Sequence, residues 1–326
     1  MKKIILLITL IHYVTLQFAH PGTGILQNKK GEIFYTDLSR VWKVSSDGTK
    51  KEVVVPAVHT HDLSLDQEGN LYGEHLWYDE SLKSKWGFYV WKYGKDGSLT
   101  KIIKDTDGFR SDYSFTRDNQ DHMYWIEEGK TIHNLVRKSM NGEMEIISSF
   151  EARDIRKTYC SPGGMVFYID DNDLYRIATD GDHTPSLIAS DLDGKKGIDP
   201  GRKPNNNTMG IWGDESGNVY VAVYNKKSII KVDPISGMTK NMYTSPVGWA
   251  PSGGLIDMDK SLWVMENNMA NEVRVKKIKN KLNGKEVGPL NSKPFSIYIL
   301  GILIITILVA ILIGNNIIKG SKALII

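Results

Sequence analysis

Residues 59–75 read HTHDLSLDQEGNLYGEH, with His59 and His61 at the start and Glu74 and His75 at the end. His59 and His61 are two residues apart, so their side chains project to the same side of an extended strand. A turn at residues 66–69 returns the chain so that Glu74 faces His61, with Cβ atoms about 4.5 to 5.5 Å apart in an antiparallel pair. Because imidazole and carboxylate groups bind divalent cations, these three residues form a candidate site for Zn²⁺, Ca²⁺, Mg²⁺ or Mn²⁺.

The same side chains have two other interpretations that the sequence leaves open. A histidine beside a glutamate is often a hydrogen-bonded pair that stabilises the fold. Acid and base groups placed together can also bind a polar substrate. A tetrahedral metal site needs a fourth ligand, and the stretch shows none in an evident position.

The stretch contains one copy of a short phrase that recurs along the chain. Each copy has a turn residue, a polar residue and then three or four apolar or aromatic residues, often ending in an acid. The starts of the copies are 38, 52, 43, 53 and 43 residues apart, which suits units of four short strands and the period of β-propeller blades. The six copies are GEIFYTD (31–37), GNLYGEH (69–75), DHMYWIE (121–127), GMVFYID (164–170), GNVYVAV (217–223) and KSLWVME (260–266).

Six such units predict an all-β fold, a six-bladed β-propeller over residues 20–283. We expect the first and last blades to share a sheet, because a shared sheet closes the ring and removes open strand edges. A short apolar strand precedes the phrase and forms a hairpin with it. Seven residues before five of the phrase starts lie Gly24, Asp62, Ser114, Gly210 and Gly253.

A propeller would gather residues that are distant in sequence around one rim of its central channel. The loops that enter the first strand and leave the second strand of each blade open on the same face, so polar residues at those ends should converge. They can bind a polar ligand there, although acids at strand ends also commonly satisfy backbone donors or form ion pairs. The predicted rim residues are His20, His59, His61, Glu74, His75, Arg110, Asp112, Glu127, Asp170, Asn207, Glu266 and Asn267.

Both ends of the chain differ from the middle. Residues 1–19 combine Lys2 and Lys3 with an apolar run, as in a signal peptide or signal anchor. Residues 295–314 carry no charge over 20 residues, which predicts a transmembrane helix after a linker at 284–294 and before a short tail at 315–326. We therefore expect the propeller to lie outside the cytoplasm, held to the membrane by the C-terminal helix.

Composition excludes some partners and bonds. The chain of 326 residues has 41 Lys and Arg against 38 Asp and Glu, a formal charge of +3 that does not predict a nucleic-acid partner. Its single cysteine, Cys160, rules out an intramolecular disulfide. Packing must therefore supply the stability of the fold.

The stretch MGIWGDESGNVYVAVYNKKSIIKVDPISG (209–237) resembles a blade of NHL-repeat propellers and of the gluconolactonase, or senescence-marker, family. HPGTGI (20–25) and PSGGLI (251–256) resemble the opening strands of such blades. The resemblance covers nearly all of the chain between the two apolar ends and implies the propeller fold. Gluconolactonases hold a divalent metal at the pore with Glu, Asn and Asp side chains, so the resemblance to them also implies such a metal. One of those Asp positions is Met209 here.

The sequence supports three functional hypotheses. The first is a membrane-anchored extracytoplasmic propeller that binds a small ligand, a glycan or a protein at its polar rim. The alternative is a metal-dependent hydrolase, lactonase or lyase that uses the same rim. A purely structural role at the cell surface is the third.

Overall fold

The computed structural model describes residues 21–194, 207–268, 270–278 and 290–291. These residues form six antiparallel sheets, which confirms the predicted all-β, six-bladed propeller. The predicted signal segment at 1–19 and the predicted transmembrane helix at 295–314 lie outside the described residues. Within the described residues, no helix has the length and apolar character needed to cross a membrane.

The strands follow one another around the ring in chain order. Blades 1 to 3 contain β1 (Ile25–Gln27), β2 (Ile33–Thr36), β3 (Val41–Val44), β4 (Lys51–Val55), β5 (Leu63–Leu65), β6 (Leu71–Tyr78), β7 (Trp86–Tyr93), β8 (Leu99–Asp107), β9 (Met123–Glu127), β10 (Ile132–Lys138) and β11 (Met144–Glu151). Blades 4 to 6 contain β12 (Ile155–Cys160), β13 (Met165–Asp170), β14 (Asp173–Ala178), β15 (Ser186–Ala189), β16 (Thr208–Gly213), β17 (Val219–Val223), β18 (Ser228–Val232), β19 (Thr239–Thr244), β20 (Trp249–Ile256), β21 (Leu262–Asn268), β22 (Val273–Ile278) and β23 (Leu290–Asn291).

Blade 3 has a reduced inner strand. Its sheet contains three strands, β9 to β11, whereas the other five sheets contain four. The segment ahead of β9 is joined to it by an isolated bridge between Arg117 and Met123. The Tyr124 amide also donates to the Thr116 carbonyl at 2.9 Å. Residues 114–117 therefore occupy the inner position of this blade without forming a regular strand.

The ring closes by packing between blades, so the expectation of a sheet shared by the first and last blades is wrong. β4 is the outer strand of the first sheet, and β23 pairs with β22 at the edge of the last. Inner strand β1 lies beside inner strand β20. Side chains of both blades then share one apolar core that includes Tyr35 and Trp263, which are 0% and 1% exposed.

The inner strands approach one another closely because glycine occupies the contact points. Thr23 and Gly24 donate their backbone N–H groups to the His61 carbonyl at 3.0 and 2.8 Å, which links blade 1 to blade 2. A Cβ atom on Gly253 would lie 2.6 Å from the Thr23 carbonyl oxygen, and one on Gly210 would lie 2.6 Å from the Ser252 carbonyl oxygen. Any larger residue at these positions would push neighbouring blades apart.

The recurring phrase follows from the chemistry of one turn. The first residue of all six copies has a positive φ, between 59° and 84°, which favours glycine. Four copies have glycine there, and Asp121 and Lys260 adopt this conformation in the other two. Three residues earlier a side-chain oxygen binds the turn, from Asn or Asp in five copies and from Ser161 in the fourth: Asp214, for example, accepts from the Asn218 amide at 3.0 Å.

An aromatic donor then ties the second strand to the same acid. The Tyr220 hydroxyl donates to Asp214 Oδ2 at 2.9 Å. Tyr72, Tyr124 and Trp263 make the equivalent bonds to their own turn carboxylates, at 2.8 to 2.9 Å. The turn residue, the polar residue and the aromatic residue of the phrase are therefore one hydrogen-bonded unit in four of the six blades.

Replacing Gly253 with alanine tests the close approach of the inner strands. The added methyl group would press on the backbone of blade 1, which cannot rotate away. We expect Gly253→Ala to lower the free energy of unfolding by about 1–3 kcal/mol. Gly163→Ala is the matched control, since nothing lies within 4 Å of a Cβ there, and it should change stability by less than about 0.5 kcal/mol. Urea unfolding of both variants provides the measurement; equal stability would contradict the steric argument.

Candidate functional site

A cavity of about 410 Å³ opens where the inner strands begin, and we call it the mouth. It has the size of a small-molecule pocket. Its walls come from five of the six blades. The lining residues are Pro21, His61, Asp62, Glu74, Leu76, Phe109, Arg110, Lys157, Thr208 and Met209.

One position of the inner strand decides where polar groups enter the channel. It lies seven residues before each phrase start. In blades 1, 5 and 6 it is glycine, and these three blades pack backbone against backbone. Blades 2, 3 and 4 place Asp62, Ser114 and Lys157 there. The channel is therefore polar on one half and bare backbone on the other.

Glu74 forms the first of two ion pairs at the mouth. Its side chain is 3% exposed, and Oε2 accepts from Arg110 Nε at 2.6 Å. His61 Nδ1 lies 3.6 Å from Oε1 on the other side of the carboxylate. The proximity of His61 to Glu74 that the sequence predicted is thus observed. The pairing register of β5 and β6 differs by one residue from the expected one, because Leu63 faces Gly73.

The second ion pair joins blade 2 to blade 4 across the channel. Lys157 Nζ lies 3.3 Å from Asp62 Oδ1 and 3.2 Å from the Thr23 hydroxyl oxygen, and that hydroxyl also donates to Asp62. Burial acts to raise the pKa of Asp62. The Lys157 ammonium, the Thr23 hydroxyl and Arg110 outweigh it and hold that pKa well below its ordinary value. Asp62 is therefore ionised at neutral pH.

The residues of the mouth do not fit a divalent metal. His59, His61 and Glu74 lie together, and the two imidazole rings meet edge to face at 4.7 Å between centroids. However, no group of three or more His, Cys, Asp or Glu side chains in the described part of the chain is arranged to hold a metal ion. The predicted three-ligand set is not formed, because a guanidinium takes one oxygen of Glu74 and would repel a cation beside it. The thioether of Met209, which lines the same mouth, is a poor ligand for hard cations.

His59 and His75 lie behind the mouth and hold blade 2 together. The His59 amide donates to His75 Nδ1 at 2.9 Å, and His75 stacks on Tyr89 at 4.9 Å between centroids. Burial and the neighbouring His61 and His75 lower the pKa of His59. Burial and Lys101 lower the pKa of His75. Both imidazoles are neutral at physiological pH and serve as packing and hydrogen-bonding groups.

Four other predicted rim residues are buried partners of the fold and do not line the mouth. Asp170 accepts from the Arg153 and Asp154 amides at 2.9 and 2.7 Å. Asn207 donates to Asp193 Oδ2 at 2.8 Å, and Asn267 donates to the Ser252 hydroxyl oxygen at 2.5 Å. Glu266, which is 0% exposed, accepts from Arg274 Nε at 2.6 Å and from the Tyr243 hydroxyl at 2.9 Å.

The two remaining acids are on the surface. Asp112 lies 3.7 Å from Lys138 Nζ with its side chain 63% exposed, and Glu127 is exposed at the end of β9. His20, also predicted at the rim, lies outside the described residues. Side-chain alternation explains why the acids that end the phrase, such as Glu127, miss the mouth. The acid that ends the phrase is its seventh residue, whereas Glu74 is the sixth residue of its copy and faces the other side of the sheet.

Sequence reasoning missed Asp62 and Lys157 as site residues. A signal for both was present: Asp62 stands at the seven-residue offset from Gly69, and the same offset from Gly164 falls on Lys157. A charged residue where three other blades have glycine marks a blade whose inner strand carries a functional group.

Comparison with known proteins supports the fold. No protein-family model matches the sequence, and no curated protein does. Among solved structures, a gluconolactonase from Xanthomonas campestris is similar at a TM-score of 0.53 with 12% identity, over 76% of this chain and 83% of that one. Regucalcin, a calcium-binding protein from Agrobacterium tumefaciens strain C58, is similar at 0.50 with 12% identity, over 75% and 81%. An auxiliary nutrient binding protein from Bacteroides thetaiotaomicron is similar at 0.52 with 8% identity, over 78% and 68%.

The chain thus has the six-bladed propeller fold also found in gluconolactonase and regucalcin. At these identities the likeness describes the fold and leaves the chemistry to the residues of the mouth. Those residues are two carboxylates, each paired with a cation, and one imidazole.

Replacing Lys157 with methionine tests the charge balance of the mouth. Asp62 would lose its ammonium partner, so its pKa should rise toward the ordinary 3.8. The stability that ionised Asp62 contributes is present above that value and is lost as the pH falls through the folded-state pKa. The free energy of unfolding of wild type should therefore exceed that of Lys157→Met at neutral pH, and the difference should shrink as the pH falls below about 4. NMR titration of Asp62 measures the change. Lys277→Met, which removes a partner of Asp257 instead, should leave Asp62 unaltered.

Proposed function

We propose that this chain binds a small polar molecule at the mouth of the propeller. The observation that carries the proposal is the polar half of the channel, where Asp62, Arg110 and Lys157 come from three different inner segments to one cavity of about 410 Å³. Natural small-molecule pockets have this volume and combine a few converging polar groups with apolar walls. Leu76, Phe109 and Pro21 supply such walls here.

The chemistry of the mouth favours a ligand that both donates and accepts hydrogen bonds. An ammonium has three N–H donors and a guanidinium has five, so Lys157 and Arg110 retain donors beyond those used in their ion pairs. The carboxylates of Asp62 and Glu74 are acceptors only. A molecule with hydroxyl groups and carbonyl or carboxylate oxygens can match both sets.

We also propose that the propeller is anchored to a membrane and lies outside the cytoplasm. The support is the uncharged run at 295–314 and the charged start followed by an apolar run at 1–19. At a cell surface, glycans and proteins join small molecules as candidate ligands of the same rim. A small ligand is favoured because the mouth is a concave cavity of about 410 Å³.

Metal-dependent hydrolysis, lactone opening or elimination at the same rim is the second candidate function. The fold shared with a gluconolactonase favours it. The ion pairing of Glu74 with Arg110 disfavours it, because this carboxylate is not free to act as a ligand or as a base.

A binding screen with two mouth variants tests the main proposal. Melting temperatures of the purified protein would be measured with a panel of neutral sugars, sugar acids and amino acids. We expect at least one compound to raise the melting temperature of wild type and not that of Lys157→Met or Arg110→Met. Lys83→Met, a surface change outside the mouth, should respond like wild type. Equal responses in all four proteins, or no response to any compound, would count against binding at the mouth.

Metal analysis of the same preparations separates the two candidates. The ion pairs of the mouth predict less than stoichiometric divalent metal after purification without chelator. Stoichiometric metal that disappears in His61→Ala and in Glu74→Gln would establish the metal-dependent alternative.

Protease treatment of intact cells tests the proposed topology. Added protease should degrade the propeller and leave a cytoplasmic control protein intact. Full protection, in cells where a known surface protein is cleaved, would refute the extracytoplasmic placement.

A further inference from the structure

Below the mouth, a second cavity of about 570 Å³ follows the inner strands down the axis of the propeller. All six blades contribute to its wall. Asp62, Arg110 and Lys157 line both cavities, so the mouth opens into this central cavity. A ligand held at the mouth can therefore extend one group into it.

The central cavity is rich in hydrogen-bond donors without partners. Arg117 Nε and the indole nitrogens of Trp125 and Trp212 are buried and have no hydrogen-bond partner among the described residues. All three side chains line the cavity, and Trp212 is 8% exposed. Arg110 Nη1 is a fourth such atom. Indole and guanidinium nitrogens donate hydrogen bonds and cannot accept them.

The charged side chains that line the cavity are the cations Arg110, Arg117 and Lys157 and the carboxylates Asp62 and Glu128. No ion pair among the described residues includes Arg117. Its Nη2 donates to the Tyr113 hydroxyl oxygen at 2.8 Å, and its guanidinium lies 5.1 Å from the Tyr72 ring centroid. Lys157 and Arg110 are cations, each matched by one carboxylate. The Ser64 hydroxyl, also without a partner, can donate as well. Buried donors of this kind are satisfied in proteins by acceptors.

We infer that the central cavity binds an oxyanion, the carboxylate or phosphate group of a small organic molecule whose polar remainder lies in the mouth. The inference rests on the proposed binding function and specifies its ligand class. Arg117 and Trp125 of blade 3 and Trp212 of blade 5 would donate to the oxyanion. Acceptor-only groups with negative charge match the unpartnered donors of this wall, whereas a neutral polyol would leave the donors unequally satisfied.

Indole N–H signals report directly on this cavity. The full-length protein, labelled with ¹⁵N in tryptophan, would be titrated separately with acetate and with inorganic phosphate, and with acetamide as the neutral counterpart of acetate. We expect the Trp125 and Trp212 signals to shift together along one saturable curve with at least one of the two anions, and not with acetamide. Which anion binds distinguishes a carboxylate ligand from a phosphate ligand. Trp42 and Trp263 serve as internal controls, because their indole nitrogens already donate to Asp37 and Asp257 at 2.7 and 2.9 Å.

Variants then test the named donors. Trp212→Phe keeps the ring and removes the N–H, and Arg117→Lys keeps the charge and alters the donor geometry. Each variant should lower the affinity for the anion, measured at the Trp125 indole signal, by about tenfold or more. This corresponds to the loss of about 1.4 kcal/mol of binding free energy. An unchanged Trp263 signal verifies that the variants are folded. Unchanged anion affinity in both variants would overturn the assignment of these donors.

The imidazole signals of His61 separate this inference from the proposed function. Shifts at His61 without shifts at Trp125 and Trp212 would show that anions stop at the mouth, which overturns the inference and leaves mouth binding standing. Equal indole shifts with acetamide and acetate would overturn the oxyanion class. No shift at any of the three residues with either anion would overturn the inference, and the sugar and amino-acid screen would still decide on the mouth.

Discussion

The close approach of six inner strands is the constraint on which the rest of the structure depends. The carbonyl of His61 accepts two backbone N–H groups from the next inner strand, and a methyl group on Gly253 would collide with the backbone of blade 1. Because the inner strands of blades 1, 5 and 6 meet their neighbours backbone to backbone, glycine fixes the width of the channel on that side. The outer strands add apolar layers between blades, but they do not set the width of the channel.

This constraint also decides where chemistry is possible. A blade that needs glycine at its inner contact point cannot present a side chain there, so blades 1, 5 and 6 contribute backbone. Blades 2, 3 and 4 are released from that requirement and present Asp62, Ser114 and Lys157. The ion pair between Asp62 and Lys157 spans the channel and links blades that are not neighbours in the ring. Charge pairing on one side and glycine packing on the other make a sixfold architecture chemically asymmetric.

The fold could be predicted because each repeat is defined by interactions between residues that are close in sequence. Most turns combine a residue with positive φ and an Asx side chain three residues before it. In four blades an aromatic donor follows six residues after the Asx residue. All three lie within one hairpin, so they produce a recognisable sequence pattern. The neighbourhood of His61 and Glu74 followed from the same hairpin. The way the ring closes could not be read in this manner, since nothing local distinguishes a shared sheet from blades that pack side by side.

The site was only partly predictable because side-chain direction changes with every residue. Glu74 and Glu266 each lie at the end of a phrase, yet a difference of one position turns the first toward the mouth and the second into a buried pair with Arg274. Arg117 and Trp212 carry no sequence signal at all, because a donor without a partner is defined by its surroundings. Residue type indicates what a side chain can do, and register determines whether it faces a ligand.

The irregular inner segment of blade 3 gives the ring an uneven mechanical character. Residues 114–117 lack the ladder that braces the other inner strands, and a single bridge at Arg117 holds their end. Segments with few backbone hydrogen bonds open at the lowest free energy. Thermal fluctuation of the propeller should thus concentrate beside Arg110 and Arg117, so amide protons of this segment should exchange with solvent before those of the other five inner strands. Local opening of this one segment would give a molecule access to the axis while the other five inner strands stay paired.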